Sequence, residues 1–422
     1  MKSSPEDAAT PRPLAGVRVL EVATAIQGPA AGQLLADLGA DVIKVEPPIG
    51  DTSRYVGHAQ QVGVATGTQF LSVNRGKRSV CVDAHTPLAR SVLRRLAAQS
   101  DVFLSNYRTD ALEKLGLDAE TLQAANPRLV WAAASGFGPL GPDAQKAMID
   151  GAAQARGGLL SVTGPADACS TPPGAMVADT AGALSLALGI VTALFDREHT
   201  GRARRVEVSA LGAQLWLQSW ELQHAFVTGE TPRRAGPHHH SLRGPYGVYR
   251  ASGGEQYLFA VVLQVAAWRA LWEFVGERDV AADPRWDSHG KHFSVGGDAD
   301  VSEIRERMRA AFARRSAGEW DAFLARQPEI ICERVRDYAE VLADPQNRAN
   351  GYVAEMEIEG TRRVSTVGVP VTFDRAVRDR VASPPALGEA TREVMARLGF
   401  EESEIREVEA HAAQRRAELL GR

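Results

Sequence analysis

Cysteine is scarce in this sequence: the 422 residues hold three, Cys81, Cys169 and Cys332, far apart and with no C-x-x-C pair. Neither a disulfide framework nor a cysteine-built zinc site is expected, and reduced thiols suit the cytosol. An excess of positive charge is also missing. The formal net charge is −4, and basic residues such as Arg204 and Arg205 or Arg233 and Arg234 come in pairs rather than blocks. Such spacing does not track a phosphate backbone, so nucleic-acid binding is not expected. Long apolar runs are lacking too. The longest, Ala181 to Phe195, contains Gly182 and Gly189 and falls short of the ~18 residues of a membrane span. It reads as a buried helix, and no membrane association is expected. Met1 to Pro13 lacks the apolar segment of a secretory signal, so a cytoplasmic location is expected.

What is present is the composition of a soluble protein with substantial cores, 44% hydrophobic and 24% charged. Single cores stop growing at roughly 250–300 residues, which predicts more than one domain. Short β-rich runs at Val17–Val22, Asp41–Val45, Ser79–Val82, Val102–Leu104 and Leu129–Ala134 alternate with helical stretches. Pro29 opens one helix that Gly39 closes, Thr86 caps the next ahead of Pro87, and Gly116 ends a third. This alternation predicts a doubly wound parallel sheet of the Rossmann-like α/β class. In such sheets ligands sit at the carboxyl ends of strands, which directs attention to the loops after Val22, Val45, Leu104 and Ala134. From about Gly229 the character changes to a polar Gly/Pro/His segment, a strand at Tyr257–Val262 and helices carrying Trp268, Trp272, Trp286 and Trp320. The expected division is a large domain over 1–225, a smaller α+β domain over 226–345, and a segment 346–422 that returns to the large domain through a strand at Val364–Phe373.

Asp179 precedes the apolar helix expected over Thr180–Phe195, in which Leu184, Ala187, Leu188 and Leu194 can bury against a sheet. One role for it is an N-cap that accepts a backbone N–H. The same position suits a nucleophile, because the helix dipole favours an ionised carboxylate that can attack a thioester without a general base. Asp150, ahead of Gly151, reads by itself as a helix cap.

The order of motifs is specific. L-A-G-V-R-V-L-E-V starts at Leu14, L-G-A-D-V-I-K-V-E-P-P ends at Pro48, N-R-G-K-R-S spans Asn74–Ser79, A-S-G-F-G starts at Ala134, and L-G-E-A-T-R-E-V-M-A-R-L-G-F ends at Phe400. Together with the region from Thr163 to Ser209 around Asp179, they resemble the class III CoA-transferases, the CaiB/BaiF family, over nearly the whole chain. The resemblance implies that Asp179 is the nucleophile and Asp150 a second acid near the thioester. It also implies that CoA lies along the N-terminal domain, with Gln27, Asn106, Tyr107, Arg108 and Lys114 in the loops that contact it and the backbone of Ser135 and Gly136 near the pantetheine arm. It further implies an interlocked homodimer, acyl-CoA and a carboxylic acid as substrates, and no permanently bound cofactor or metal.

Departures from the family pattern occur at Thr109-Asp110, at T-G-R-A from Thr200, and at His238–Pro245, where many relatives carry a glycine-rich loop. The adjacent histidines His238, His239 and His240 lack an acidic or cysteine partner at ligand spacing, so no metal site is expected there. Arg243 and His240 could instead meet a substrate carboxylate. Two other activities compete. An α-methylacyl-CoA racemase shares the fold but uses a histidine where this sequence has Ile149. A nicotinamide-dependent oxidoreductase would need G-x-G-x-x-G, and the loop here reads T-A-I-Q-G-P-A-A-G.

Overall fold

The computed structural model describes residues 12–57, 62–286, 297–358 and 362–421. The described residues of Met1–Gly157, Ala175–Leu217 and Leu342–Arg422 form one compact unit, and those of Gly158–Gly174 and Gln218–Val341 form a second.

The first unit is built on six strands: β1 (Arg18–Val22), β2 (Asp41–Glu46), β3 (Arg78–Cys81), β4 (Val102–Ser105), β5 (Val130–Ser135) and β6 (Arg205–Ser209). All pairs are parallel. Their spatial order is β3-β2-β1-β4-β5-β6, so the winding reverses between β1 and β4. That point is where a doubly wound sheet opens a crevice for a ligand. The helices of this unit begin with α1 (Gln27–Asp37), α2 (Thr68–Val73), α3 (Pro87–Ala98), α4 (Thr109–Leu115), α5 (Ala119–Ala125) and α6 (Asp150–Arg156). The short α7 (Leu159–Val162) belongs to the second unit, and α8 (Val177–Thr200) and α9 (Ala210–Leu217) return to the first.

Both faces of the sheet are covered, which is why its strands read as short continuous apolar runs. Side-chain alternation divides the core: Phe103 and Trp131 join Val92 and Leu96 of α3 and Val394 and Ile405 of the C-terminal helices on one face. Val102 and Leu104 join Leu35 of α1 and Leu186 and Ile190 of α8 on the other. Local signals set the helix ends. The Thr86 hydroxyl accepts from the Ala89 N–H and Pro87 stands at the first position of α3, while Gly116 closes α4 at φ 69°.

Two expectations about α8 need correction. The helix starts at Val177, not Thr180, and runs 24 residues to Thr200. Ala187 and Leu194 are buried as expected, but Leu184 and Leu188 are 52% and 69% exposed. With a mean hydropathy of 1.7 the helix is long and apolar enough to cross a membrane by composition alone, yet half of that stretch is buried. Its inner face packs on the sheet.

In the second unit, β7 (Gly247–Arg250), β8 (Gln256–Val262) and β9 (Ile330–Arg334) form an antiparallel sheet. Trp268, Trp272, Trp286 and Trp320 are buried in its core. A third small sheet, in the first unit, joins β10 (Val353–Ile358), β11 (Arg362–Val367) and β12 (Arg380–Val381). The strand expected over Val364–Phe373 stops at Val367, ahead of Gly368 and Pro370; proline has no N–H to offer the ladder.

Candidate active site

Asp179 is not the cap of α8. It is the third residue of the helix, and the cap is supplied from a distance by Asp150. The buried Asp150 side chain accepts from the Ala178 N–H at 2.8 Å and the Asp179 N–H at 2.9 Å through one oxygen, and Gln154 donates to the other. Val177 N–H bonds the Ala175 carbonyl and Thr180 N–H the Met176 carbonyl. Every N–H of the first turn is thereby engaged, so these groups are not available to a developing oxyanion.

The Asp179 carboxylate itself has no hydrogen-bond donor among the described residues. Burial, with the neighbouring negative charge of Asp150, raises its pKa to about 6. Desolvation and a like charge outweigh the helix dipole here. At neutral pH the group is still mainly ionised, by about ten to one, and is a partly desolvated carboxylate with no ion-pair partner among the described residues.

Gln27, the first residue of α1, reaches this helix from the neighbouring helix on the same face of the sheet. It is buried, and its Nε2 has no hydrogen-bond partner. A Cβ on Gly182 would stand 2.2 Å from that nitrogen, so glycine at 182 is what lets the amide lie against α8 one turn beyond Asp179. An unpartnered buried N–H is costly unless a ligand uses it.

Other residues singled out in the sequence fall into distinct settings. Asn106 uses both ends of its amide on the Thr24 backbone, accepting from its N–H at 2.9 Å and donating to its carbonyl at 2.7 Å. It fastens the loop after β4 to the loop after β1, across the winding reversal. Tyr107 and Lys114 line a cleft of about 390 Å³ with Val22, Val45, Pro47, Val82, His85 and Ala111, at the carboxyl ends of β1 to β4. Arg108 is exposed at the start of α4, and Lys114 meets Asp110 at 3.3 Å. The Ser135 hydroxyl accepts from the Gly138 N–H, and a Cβ on Gly136 would strike the Met148 side chain at 2.4 Å.

The first unit also buries a set of charges the motif reading passed over. Lys44 pairs with Glu21 at 2.9 Å and Asp51 at 2.8 Å, Lys77 pairs with Glu21 at 2.8 Å, and Arg54 with Glu46 at 2.7 Å. The signal was present as polar residues inside apolar strands, V-L-E-V and V-I-K-V-E. In the second unit His239 accepts at Nδ1 from the Ser241 N–H, which leaves Nε2–H to donate to Glu221 at 3.2 Å. His238 binds the Tyr246 carbonyl, and Arg243 donates to Asp298. His239 and His240 stack with ring centroids 4.6 Å apart while His238 turns to Tyr246, and among the described residues no group of three His, Cys, Asp or Glu could hold a metal ion.

Comparison with known families places this six-stranded doubly wound chain: it matches CoA-transferase family III over residues 14–391. It belongs to that family. The transferase is 30% identical over 392 residues to a succinate–glutarate CoA-transferase of Agrobacterium fabrum, covering 92% of this chain and 96% of the relative. It is 31% identical over 424 residues to a formyl-CoA:oxalate CoA-transferase of Rhodopseudomonas palustris, covering 94% and 96%. Among solved structures it is similar to a CaiB/BaiF family protein from Brucella suis, with a TM-score of 0.79, 29% identity, and coverage of 92% of this chain and 100% of that one. It is similar also to Rv3272 from Mycobacterium tuberculosis, with a TM-score of 0.77, 27% identity, and coverage of 91% and 99%. CoA or an acyl-CoA is accordingly the substrate class of the transferase.

Proposed function

We propose that the transferase moves CoA from an acyl-CoA to a free carboxylic acid through covalent intermediates on Asp179. The observation that carries this reading is the unpartnered, partly desolvated carboxylate of Asp179, held at the start of α8 by Asp150 with its pKa raised only to about 6. An Asp179 oxygen attacks the thioester carbonyl, the C–S bond breaks, and CoA leaves as thiolate, giving an aspartyl anhydride. The thiolate then attacks the Asp179 carbonyl, the anhydride C–O bond breaks, and the first acid departs as carboxylate. The acceptor carboxylate attacks the aspartyl thioester and the same two steps run in reverse. Each step exchanges one activated acyl bond for another, so no ATP is consumed and no net proton moves.

Gln27 supports the chemistry as the donor toward oxygen charge that develops at the reacting carbonyls, since the helix N–H groups are occupied. The cleft at the ends of β1 to β4 suits the nucleotide end of CoA: Val45, Pro47, Val82 and Ala111 offer apolar walls, Tyr107 an aromatic face, and Lys114 with the nearby Arg108 positive charge for phosphates. Ser135 and Gly136, at the end of β5, stand nearer the pantetheine arm. The first unit would hold CoA. The relatives named above suggest small mono- or dicarboxylic acids as partners of the exchange.

The working form is a homodimer with interlocked chains. Leu184, Leu188 and Phe195 leave an apolar stripe on the outer face of α8, 52%, 69% and 67% exposed, and Trp216 is 78% exposed on α9. A second copy of the chain would cover such surface.

The decisive experiment is mass spectrometry of the protein after brief exposure to a panel of acyl-CoA thioesters without acceptor. A CoA adduct confined to the peptide containing Asp179, discharged by added acid, is the expected result. Turnover without any adduct, or turnover surviving Asp179→Ala, would overturn the mechanism.

A further inference from the structure

The buried charges beneath the loop after β1 lie outside the reacting groups, yet three polar atoms of that loop are fastened to them. Lys44 Nζ donates to the Ala23 carbonyl at 2.7 Å while it pairs with Glu21 and Asp51. Asp51 Oδ1 accepts from the Thr24 hydroxyl at 2.9 Å and the Ala25 N–H at 3.1 Å. Lys77 Nζ donates to the Pro29 carbonyl at 2.7 Å, in the first turn of α1. The carboxylate they share is itself wedged in place, because one Glu21 oxygen occupies the space a Cβ on Gly32 of α1 would need, 1.9 Å away.

The loop pays for this grip in backbone conformation. Ala25 sits at φ 64°, one of three non-glycine residues with positive φ among those described. A β-carbon disfavours that left-handed conformation, and such outliers persist where surrounding contacts over-determine them, commonly at functional sites. Two residues later stands Gln27, with its unpartnered amide against Gly182 of α8.

We infer that Lys44 and Asp51 are positioning residues for CoA transfer: they hold Thr24 and Ala25 in the one loop conformation that starts α1 with the Gln27 amide aimed at the turn after Asp179. This inference rests on the aspartyl mechanism proposed above. It does not follow from burial alone, since an ion cluster that only supported the fold would have no need to bond a strained loop at the Ala23 carbonyl, the Thr24 hydroxyl and the Ala25 N–H together. The physical logic is that a donor contributes to a transition state only if it is already in place, and a displacement near 1 Å can cost about 10²-fold in rate.

The test uses four variants of the full chain. Asp51→Asn removes the charge that pairs with Lys44. Thr24→Val deletes the hydroxyl that donates to Asp51 and meets Thr52 but keeps every buried charge, and so remains informative if the first variant fails to fold. Ala25→Gly relieves the positive φ and loosens the loop. Asp179→Ala reports on the mechanism itself. Thr24→Val and Ala25→Gly should lower kcat for CoA transfer by about 10- to 100-fold, with KM for acyl-CoA within about threefold and calorimetric CoA affinity retained. Ala25→Gly is the sharpest arm, because a merely structural role predicts unchanged or improved stability with unchanged kcat. Wild-type kcat in both folded loop variants, alongside an inactive Asp179→Ala, would overturn the positioning role alone. An active Asp179→Ala would overturn the aspartyl mechanism on which it rests.

Discussion

Replacing Asp179 by asparagine should stabilise the protein at neutral and alkaline pH while abolishing CoA transfer. The carboxylate is displaced from its ordinary value of 3.8 to about 6 by burial and by Asp150. Because the folded-state value lies above that of the unfolded chain, ionising Asp179 opposes folding. The relative stability it confers is complete below about pH 4 and lost as pH rises through about 6. Two units correspond to about 3 kcal/mol at most. The carboxylate keeps some contact with solvent, which reduces the expected effect to about 1–2 kcal/mol. Asparagine resembles the protonated acid, so Asp179→Asn should melt a few degrees higher than wild type at pH 8, with the gap closing toward pH 4. Thermal melts of both proteins across that range, read as the difference at each pH, provide the assay. A gap independent of pH, or a less stable asparagine variant at pH 8, would refute the electrostatic account. The same ionisation should appear in the rate: kcat/KM for acyl-CoA is expected to fall about tenfold per pH unit below about 6 and to level off above it.

Asp150→Asn keeps an oxygen to cap α8 but removes the charge, so the acidic limb of that rate profile should move to lower pH; an unmoved limb would assign the shift to burial alone. Asp150→Ala also strips the cap from two buried N–H groups and should cost about 1–3 kcal/mol in denaturant titration. Lys44→Met leaves Glu21 and Asp51 short of a buried partner, and a loss of about 3–5 kcal/mol is expected by the same measurement. In heavy water the transferase should place no deuterium at the α-carbon of 2-methylacyl-CoA thioesters; incorporation at catalytic rates would mark a racemase. Sedimentation at nanomolar concentration should show a dimer that persists until unfolding, whereas a folded active monomer would contradict interlocked chains.

The parallel sheet was legible because its physics is local and periodic. The apolar runs at Val102–Leu104 and Leu129–Ala134, alternating with capped helices, suit strands buried on both faces, and Thr86, Pro87 and Gly116 act within a few residues of their own helix ends. Motif order was enough to expect a CoA-transferase and to single out Asp179. What the sequence could not determine were the partners brought from a distance. Asp179 follows a residue pattern that suits a cap, yet the cap comes from Asp150, 29 positions earlier. Asn106, singled out as a contact for the ligand, also ties two loops together, 82 positions apart. Leu184 and Leu188 look like core residues by composition but face outward, because helical phase relative to the sheet is set by which side of α8 meets β5, β6 and α1. Glu21, Lys44 and Lys77 are tolerable inside the core only because folding places opposite charges within 3 Å of one another. Periodicity and capping are properties of neighbouring residues and are written in the chain. Charge compensation, helix phase and the aim of the Gln27 amide depend on which distant segments the sheet brings together, and only the tertiary structure decides them.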